Sequence, residues 1–223
     1  MAWIEEYYVK IKKIRIIYYM KYLIIFILLF IVLWTLQNKQ NTTVSALSSD
    51  NTILALGDSL TYGYNAHIDE SYPSILSQLS GYKVINAGIN GETSAKGLQR
   101  LPKLLEDKYI KLMLLCFGGN DIIQHLSMSQ LKKNLKTMIA MAKEKDIAVL
   151  LISVPNFTLF GLSPLELYEE VADEMDVPLA SGILADILSQ PSLKSDQIHP
   201  NALGYKMMGE KIYEKLREEG FIN

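Results

Sequence analysis

One cysteine and three histidines in 223 residues leave little material for disulfide or soft-metal chemistry. A single cysteine cannot close an internal disulfide or build a cysteine-rich metal site, and none stands just after the N-terminal apolar run, where lipoprotein acylation requires one. Cys116 lies inside the apolar run from Leu112 to Phe117 and reads as a buried strand residue. His67, His125 and His199 lack the close pairing of ligand motifs, so a metal hydrolase would have no ligands; the first two read as loop or surface positions. Charge of one sign is also missing. The 22 basic and 24 acidic side chains lie mixed along the chain, with no basic stripe to neutralise phosphates, so nucleic acid is not an expected partner. No internal repeat is present and no phosphate-cradling glycine motif follows an apolar run, so no cofactor is expected.

What is present begins with an uneven N-terminus. Lys10, Lys12, Lys13, Arg15 and Lys21 precede an apolar run at 22–36, and a polar stretch rich in Asn, Gln, Ser and Thr occupies 37–50. Basic residues upstream, with only Lys39 close downstream, orient such a run with its start in the cytoplasm and the rest of the chain across the membrane. The sequence thus divides into a basic cytoplasmic N-region (1–21), a membrane anchor or signal core (22–36), a polar tether (37–50) and one domain (51–223). About fifteen residues is long for a signal core and short of the roughly twenty that span a bilayer; Ile14 to Met20 lengthen it if Arg15 and Lys21 snorkel. The expectation is an uncleaved single-pass anchor in the cell inner membrane, with the domain on the periplasmic side. The alternative is secretion into the periplasm after cleavage at the small residues Val44, Ser45 and Ala46. The remaining chain, about 170 residues, suits one domain, expected to be a monomer.

Within that domain short apolar runs alternate with amphipathic stretches. Thr52 to Leu56, Lys83 to Ala87, Lys111 to Phe117 and Ala148 to Val154 read as strands, with a weaker one at Val177 to Ala180. Leu98, Leu101 and Leu105 recur at helical spacing, as do Leu131, Leu135, Met138 and Ala142, and Tyr205, Met208, Ile212 and Leu216. This alternation predicts a parallel sheet covered by helices on both faces, with ligands bound beyond the carboxyl ends of the strands.

The candidate chemistry falls at those ends. Gly57-Asp58-Ser59-Leu60 closes the first strand, where a serine on a turn projects its hydroxyl over the sheet edge among free N–H groups. After the second strand, Gly91 can bring a main-chain N–H close to a substrate oxygen, although a loop glycine ahead of a helix looks the same. After the third, Gly118-Gly119-Asn120-Asp121 offers the Asn120 amide to a developing oxyanion, while Asp121 reads as a turn or cap residue. Near the C-terminus, Asp196 can reach Nδ1 of His199 across three residues, leaving Nε2 free to take a proton from a serine. Pro200 holds His199 extended and suits the first turn of the helix that follows.

Taken together, Gly57-Asp58-Ser59-Leu60, Gly91, Gly118-Gly119-Asn120-Asp121 and Asp196-Gln197-Ile198-His199-Pro200 resemble the four sequence blocks of the SGNH (GDSL) hydrolases, over essentially the whole chain from Thr52 onward. Residues 86–94, with Gly97-Leu98 and Arg100-Leu101-Pro102, look like the second block of the bacterial multifunctional acyl-CoA thioesterase, lysophospholipase and arylesterase group. The resemblance implies an α/β fold, a three-layer α/β/α sandwich on a five-stranded parallel, flavodoxin-like sheet. It also implies a serine esterase or thioesterase in which Ser59, Asp196 and His199 form the triad, with the oxyanion held by the N–H groups of Ser59 and Gly91 and the amide of Asn120. The loop from Asn156 to Leu162 departs from the group's pattern. Its Phe157, Leu159, Phe160 and Leu162 are expected to contact an acyl chain, making the partner a small acyl ester or thioester. An O-acetyl esterase of envelope glycans is the alternative with the same chemistry. An inactive binding module is the alternative of another class, and no residue favours it.

Overall fold

The computed structural model describes residues 12, 13, 15, 18–31, 46–158, 161–163 and 165–223. The chain divides into two units, Met1–Thr43 and Val44–Asn223. In the first, residues 18–31 are helical and their apolar side chains, Leu23, Phe26 and Phe30 among them, are exposed. No helix among the described residues is long and apolar enough to cross a membrane. Residues 32–36 of the expected anchor and 37–45 of the expected tether lie outside the described residues.

The second unit is built on five parallel strands: β1 (Thr52–Gly57), β2 (Lys83–Gly88), β3 (Ile110–Cys116), β4 (Ala148–Ile152) and β5 (Leu179–Ala180). They pair in the order β2-β1-β3-β4-β5, the doubly wound flavodoxin-like order. The central strands have no water-facing side. Ile53 to Leu56 and Leu112 to Cys116 are fully buried, which is why these segments are continuous apolar runs rather than alternating ones. β4 stops two residues short of the sequence expectation, although Ser153 N–H still donates to Ala180 O at 3.2 Å.

Eight helices, α1 (Ser59–Tyr62), α2 (Tyr72–Ser80), α3 (Ser94–Leu104), α4 (Gly119–Ile123), α5 (Met128–Lys143), α6 (Glu166–Met175), α7 (Ile183–Leu188) and α8 (Ala202–Glu218), are described in this unit. α8 packs against α2 and α7, and α5 against α3 and α6, giving a helical layer on each side of the sheet. The periodic residues face inward as expected: Leu131, Leu135, Met138 and Ala142 of α5, and Tyr205, Met208, Ile212 and Leu216 of α8, are all fully buried. Each large apolar side chain so buried stabilises the fold by roughly 1.5–3 kcal/mol. The amphipathic pattern does not mark α2, α6 or α7. α2 turns only Tyr72 and Leu76 fully inward, too few positions to show a period.

The domain also starts earlier than residue 51. Leu47 is buried; its N–H donates to Phe221 O at 2.9 Å, and Tyr82 Oη donates to its carbonyl at 2.8 Å.

Candidate active site

β1 is the topological switch point, flanked by β2 on one side and β3 on the other, so the loops that follow these three strands diverge and leave a crevice. Ser59 stands at its floor as the first residue of α1. The tight β1–α1 junction depends on Gly57, where an added Cβ would lie 2.1 Å from Thr61 Oγ1 and 2.5 Å from the Cys116 carbonyl oxygen. Asp58 caps the helix, its Oδ1 accepting the Leu60 N–H at 3.0 Å.

His199 reaches Ser59 from the opposite end of the chain. Its Nε2 lies 3.0 Å from Ser59 Oγ and its Nδ1 2.8 Å from Asp196 Oδ2. Asp196 is held in turn by the backbone N–H groups of Ile198 and His199, both on Oδ1, at 2.9 and 2.8 Å. Its burial alone would raise the carboxyl pKa, but those two N–H groups and the His199 ring outweigh it and lower it. The Tyr64 ring packs on the imidazole, centroids 4.6 Å apart, and Asn65 Nδ2 donates to Asp196 Oδ2 at 3.2 Å. Pro200 departs from its expected place. It lies before the cap of α8, in an isolated bridge with Lys194, and Asn201 is the cap, accepting the Gly204 N–H at 3.0 Å.

The loop after β2 makes a turn closed by Glu92 N–H on Ile89 O at 3.2 Å, with Gly91 in the left-handed region at φ +73° that the turn requires. Among the described residues, neither the Ser59 nor the Gly91 N–H has a backbone acceptor. Asn120, on α4, directs its amide at Glu92 O, 3.1 Å, and at Asp58 Oδ2, 3.3 Å. An incoming oxyanion would compete with the longer of these two contacts. Asp58 is a buried acid beside the serine. Burial pushes its pKa up to about 7 against the opposing effect of the Leu60 N–H and the Asn120 amide, and the charge of Asp121 adds to the rise. Asp121 itself caps α3 rather than its own helix, accepting the Ser94 N–H at 2.9 Å and the Ser94 hydroxyl at 2.6 Å.

Ser59, Gly91, Asn120 and His199 thus converge on one cleft of about 190 Å³, whose apolar wall is Leu60, Tyr64, Ile123, Val154 and Ile198. Asn156–Thr158 and Gly161–Ser163 form an antiparallel hairpin. The Phe157 side chain and residues Leu159 and Phe160 lie outside the described residues, and Leu162, half-buried, is not part of the cleft wall. Among the described residues the apolar contacts at the cleft come from Leu60, Tyr64, Ile123, Val154 and Ile198; Leu60 and Ile198 lie within the first and last sequence blocks, whereas no motif marks Tyr64, Ile123 or Val154. Asp58 sits within the first sequence block, yet its burial becomes visible only when α4 closes over it. Among the described residues no cluster of three or more His, Cys, Asp or Glu side chains could hold a metal ion.

This arrangement can pass a proton from Ser59 Oγ to His199 Nε2 and present N–H donors to a negative oxygen above the serine. A model of the GDSL-like Lipase/Acylhydrolase family matches residues 55–207. The Thioesterase 1/protease 1/lysophospholipase L1 of Escherichia coli is 32% identical over 166 residues, covering 71% of this chain and 79% of that protein. The arylesterase of Vibrio mimicus is 28% identical over 182 residues, 77% of this chain and 91% of its own. The crystal structure of TesA superposes with a TM-score of 0.69 at 27% identity, over 76% of this chain and 99% of that one. With its sheet order and its serine at the end of β1, the chain belongs to the GDSL-like lipase/acylhydrolase family of esterase-type hydrolases.

Proposed function

We propose that this protein cleaves carboxylic ester or thioester bonds of acyl substrates through an acyl-serine intermediate. The observation that carries the reading is the continuous chain Ser59 Oγ, His199 Nε2, His199 Nδ1, Asp196 Oδ2, with links of 3.0 and 2.8 Å. Ser59 Oγ attacks the acyl carbonyl while its proton moves to His199 Nε2. The carbonyl oxygen becomes an oxyanion received by the N–H groups of Ser59 and Gly91 and the Asn120 amide. Collapse breaks the bond to the alcohol or thiol, which leaves with the proton from His199. A water deprotonated by His199 then releases the acid and restores Ser59. The names of the relatives, thioesterase, lysophospholipase and arylesterase, support acyl esters and thioesters as the substrate class.

A second reading, removal of O-acetyl groups from an envelope glycan, is favoured by one observation: a cleft of about 190 Å³ encloses a short acyl group more completely than a long one. Steady-state assay against p-nitrophenyl esters of graded length, an acyl-CoA, a lysophospholipid and an acetylated sugar separates the two. Turnover confined to the acetylated sugar overturns the first reading. Ser59→Ala is expected to abolish every activity detected, and fluorophosphonate labelling at any residue other than Ser59 removes the serine mechanism.

We further propose that the N-terminal run anchors the protein in the inner membrane with the hydrolase unit in the periplasm. The basic residues before it and the exposed apolar side chains at 18–31 support this. A C-terminal reporter active only in the cytoplasm contradicts it.

A further inference from the structure

The loop that carries Gly91 is tied down by one side chain that touches no reacting atom. Arg100, two turns into α3, reaches back under the loop and binds the Glu92 carboxylate through Nε at 2.9 Å to each oxygen and through Nη2 at 2.6 Å to Oε2. The same Nη2 donates to Ala87 O at 2.6 Å and to Gly57 O at 3.3 Å. Glu92 is only 7% exposed, and the Arg100 side chain 22%. A carboxylate that far from water needs a charged, multiply hydrogen-bonded partner, and the planar guanidinium fork meets that need while still reaching two carbonyls.

Two of the groups that Arg100 holds, Gly57 and Glu92, lead to the three oxyanion donors. Gly57 lies at the end of β1, two residues before Ser59, and its carbonyl also accepts the Ile89 N–H at 3.2 Å. Glu92 follows Gly91 directly, and its N–H closes the turn that sets the Gly91 backbone. The Glu92 carbonyl accepts the Asn120 amide at 3.1 Å, so the third donor hangs from the residue that Arg100 clamps. Arg100 thus bonds both the end of β1 and the loop after β2, and α4 is joined to them through the Glu92 carbonyl, with Asp58 Oδ2 as the second acceptor of the Asn120 amide.

We infer that Arg100 is a positioning residue that assembles the oxyanion hole, acting through Glu92. The inference rests on the serine mechanism proposed above. The loss belongs to turnover rather than to substrate binding, because the donors it aligns meet full negative charge only after attack.

The test uses the full-length chain with Arg100→Lys and Glu92→Gln, assayed with p-nitrophenyl acetate well below each variant's thermal midpoint. Arg100→Lys keeps the charge but cannot span two carboxylate oxygens and two carbonyls together. Either variant is expected to lower kcat by about 10- to 100-fold with KM changed by less than about threefold, a smaller loss than the roughly 10²–10³ for removing a donor outright. A residue that only supports the fold shifts the midpoint and combines multiplicatively with Asn120→Ala. A residue that aligns Asn120 combines with it less than multiplicatively. Folded variants with kcat within about twofold of the parent, or with multiplicative losses, overturn the inference. If Arg100→Lys does not fold, Glu92→Gln decides alone. A parent protein that neither turns over ester nor labels at Ser59 instead refutes the serine mechanism beneath it.

Discussion

The two sides of the cleft are built in opposite ways. On the acid–base side, Asp196 and His199 sit on a short turn whose bonds are nearly all local. Asp196 caps N–H groups two and three residues ahead, and the turn is closed by Ser195 N–H on His199 O at 2.9 Å. The Asp196 side chain remains 40% exposed. On the nucleophile side, the polar residues are buried and their partners are remote in sequence: Asp58 meets Asn120, Asp121 meets Ser94, and Ser94 meets Asn134. One side can lose a side chain without disturbing the core, whereas the other joins catalysis to the integrity of the sheet edge.

The sharpest break of that comparison is Asp196→Asn. The amide oxygen can still accept both turn N–H groups, but its NH₂ meets His199 Nδ1, which must then accept. The ring proton moves to Nε2, the position that has to take the proton from Ser59. We expect kcat to fall by about 10³–10⁴ with stability changed by less than about 0.5 kcal/mol. A large drop in thermal midpoint would show that the turn is not independent of the core. Next in size is Asn120→Ala, expected to lower kcat by roughly 10²–10³ with a smaller change in KM. Near-normal kcat in the folded variant removes Asn120 from the oxyanion hole.

Asp58 gives the comparison a pH dependence. Its pKa is near 3.8 in the unfolded chain and about 7 when folded, so the folded state favours the neutral acid. Its contribution to stability is complete below the unfolded value and is lost as pH rises through about 7. Measured against Asp58→Asn, the parent should lose a few kcal/mol of relative stability between about pH 4 and pH 8, each tenfold difference in proton affinity being worth about 1.4 kcal/mol. A difference that stays flat across that window means that the carboxyl is not destabilised by burial. The smallest effect is expected from Asp121→Ala, which strips the Ser94 N–H and hydroxyl of their acceptor. It should cost about 1–3 kcal/mol of stability while kcat falls less than in Asn120→Ala. Equal kcat losses in the two variants would put Asp121 in the chemistry after all.

The same contrast explains what is legible in the sequence. The strands are readable because Ile53 to Leu56 and Leu112 to Cys116 are apolar without interruption, and α5 because Leu131, Leu135 and Met138 repeat at helical spacing. Asp196 and His199 are readable as a pair because three residues separate them. Ser59, Gly91 and Asn120 are readable because each follows a strand and fits a known block. Nothing local announces that Arg100 holds Glu92 and two strand ends, or that Asn65 donates to Asp196 from 131 positions away. Those contacts exist only once the sheet order is fixed. Most of the apolar wall of the cleft escapes sequence reasoning for the same reason. Tyr64, Ile123 and Val154 come from three separate segments and stand in no quoted block.

Leu47 sets a condition on any cut at Val44, Ser45 and Ala46. A protease cutting after Ala46 would turn its amide into a charged amino group, at a residue that the folded domain buries and bonds to Phe221 near the other end of the chain. Were the chain cut there, the cut and the docking of Leu47 would compete for one residue, because the new amino group would have to occupy the place of an N–H that now donates to Phe221 O.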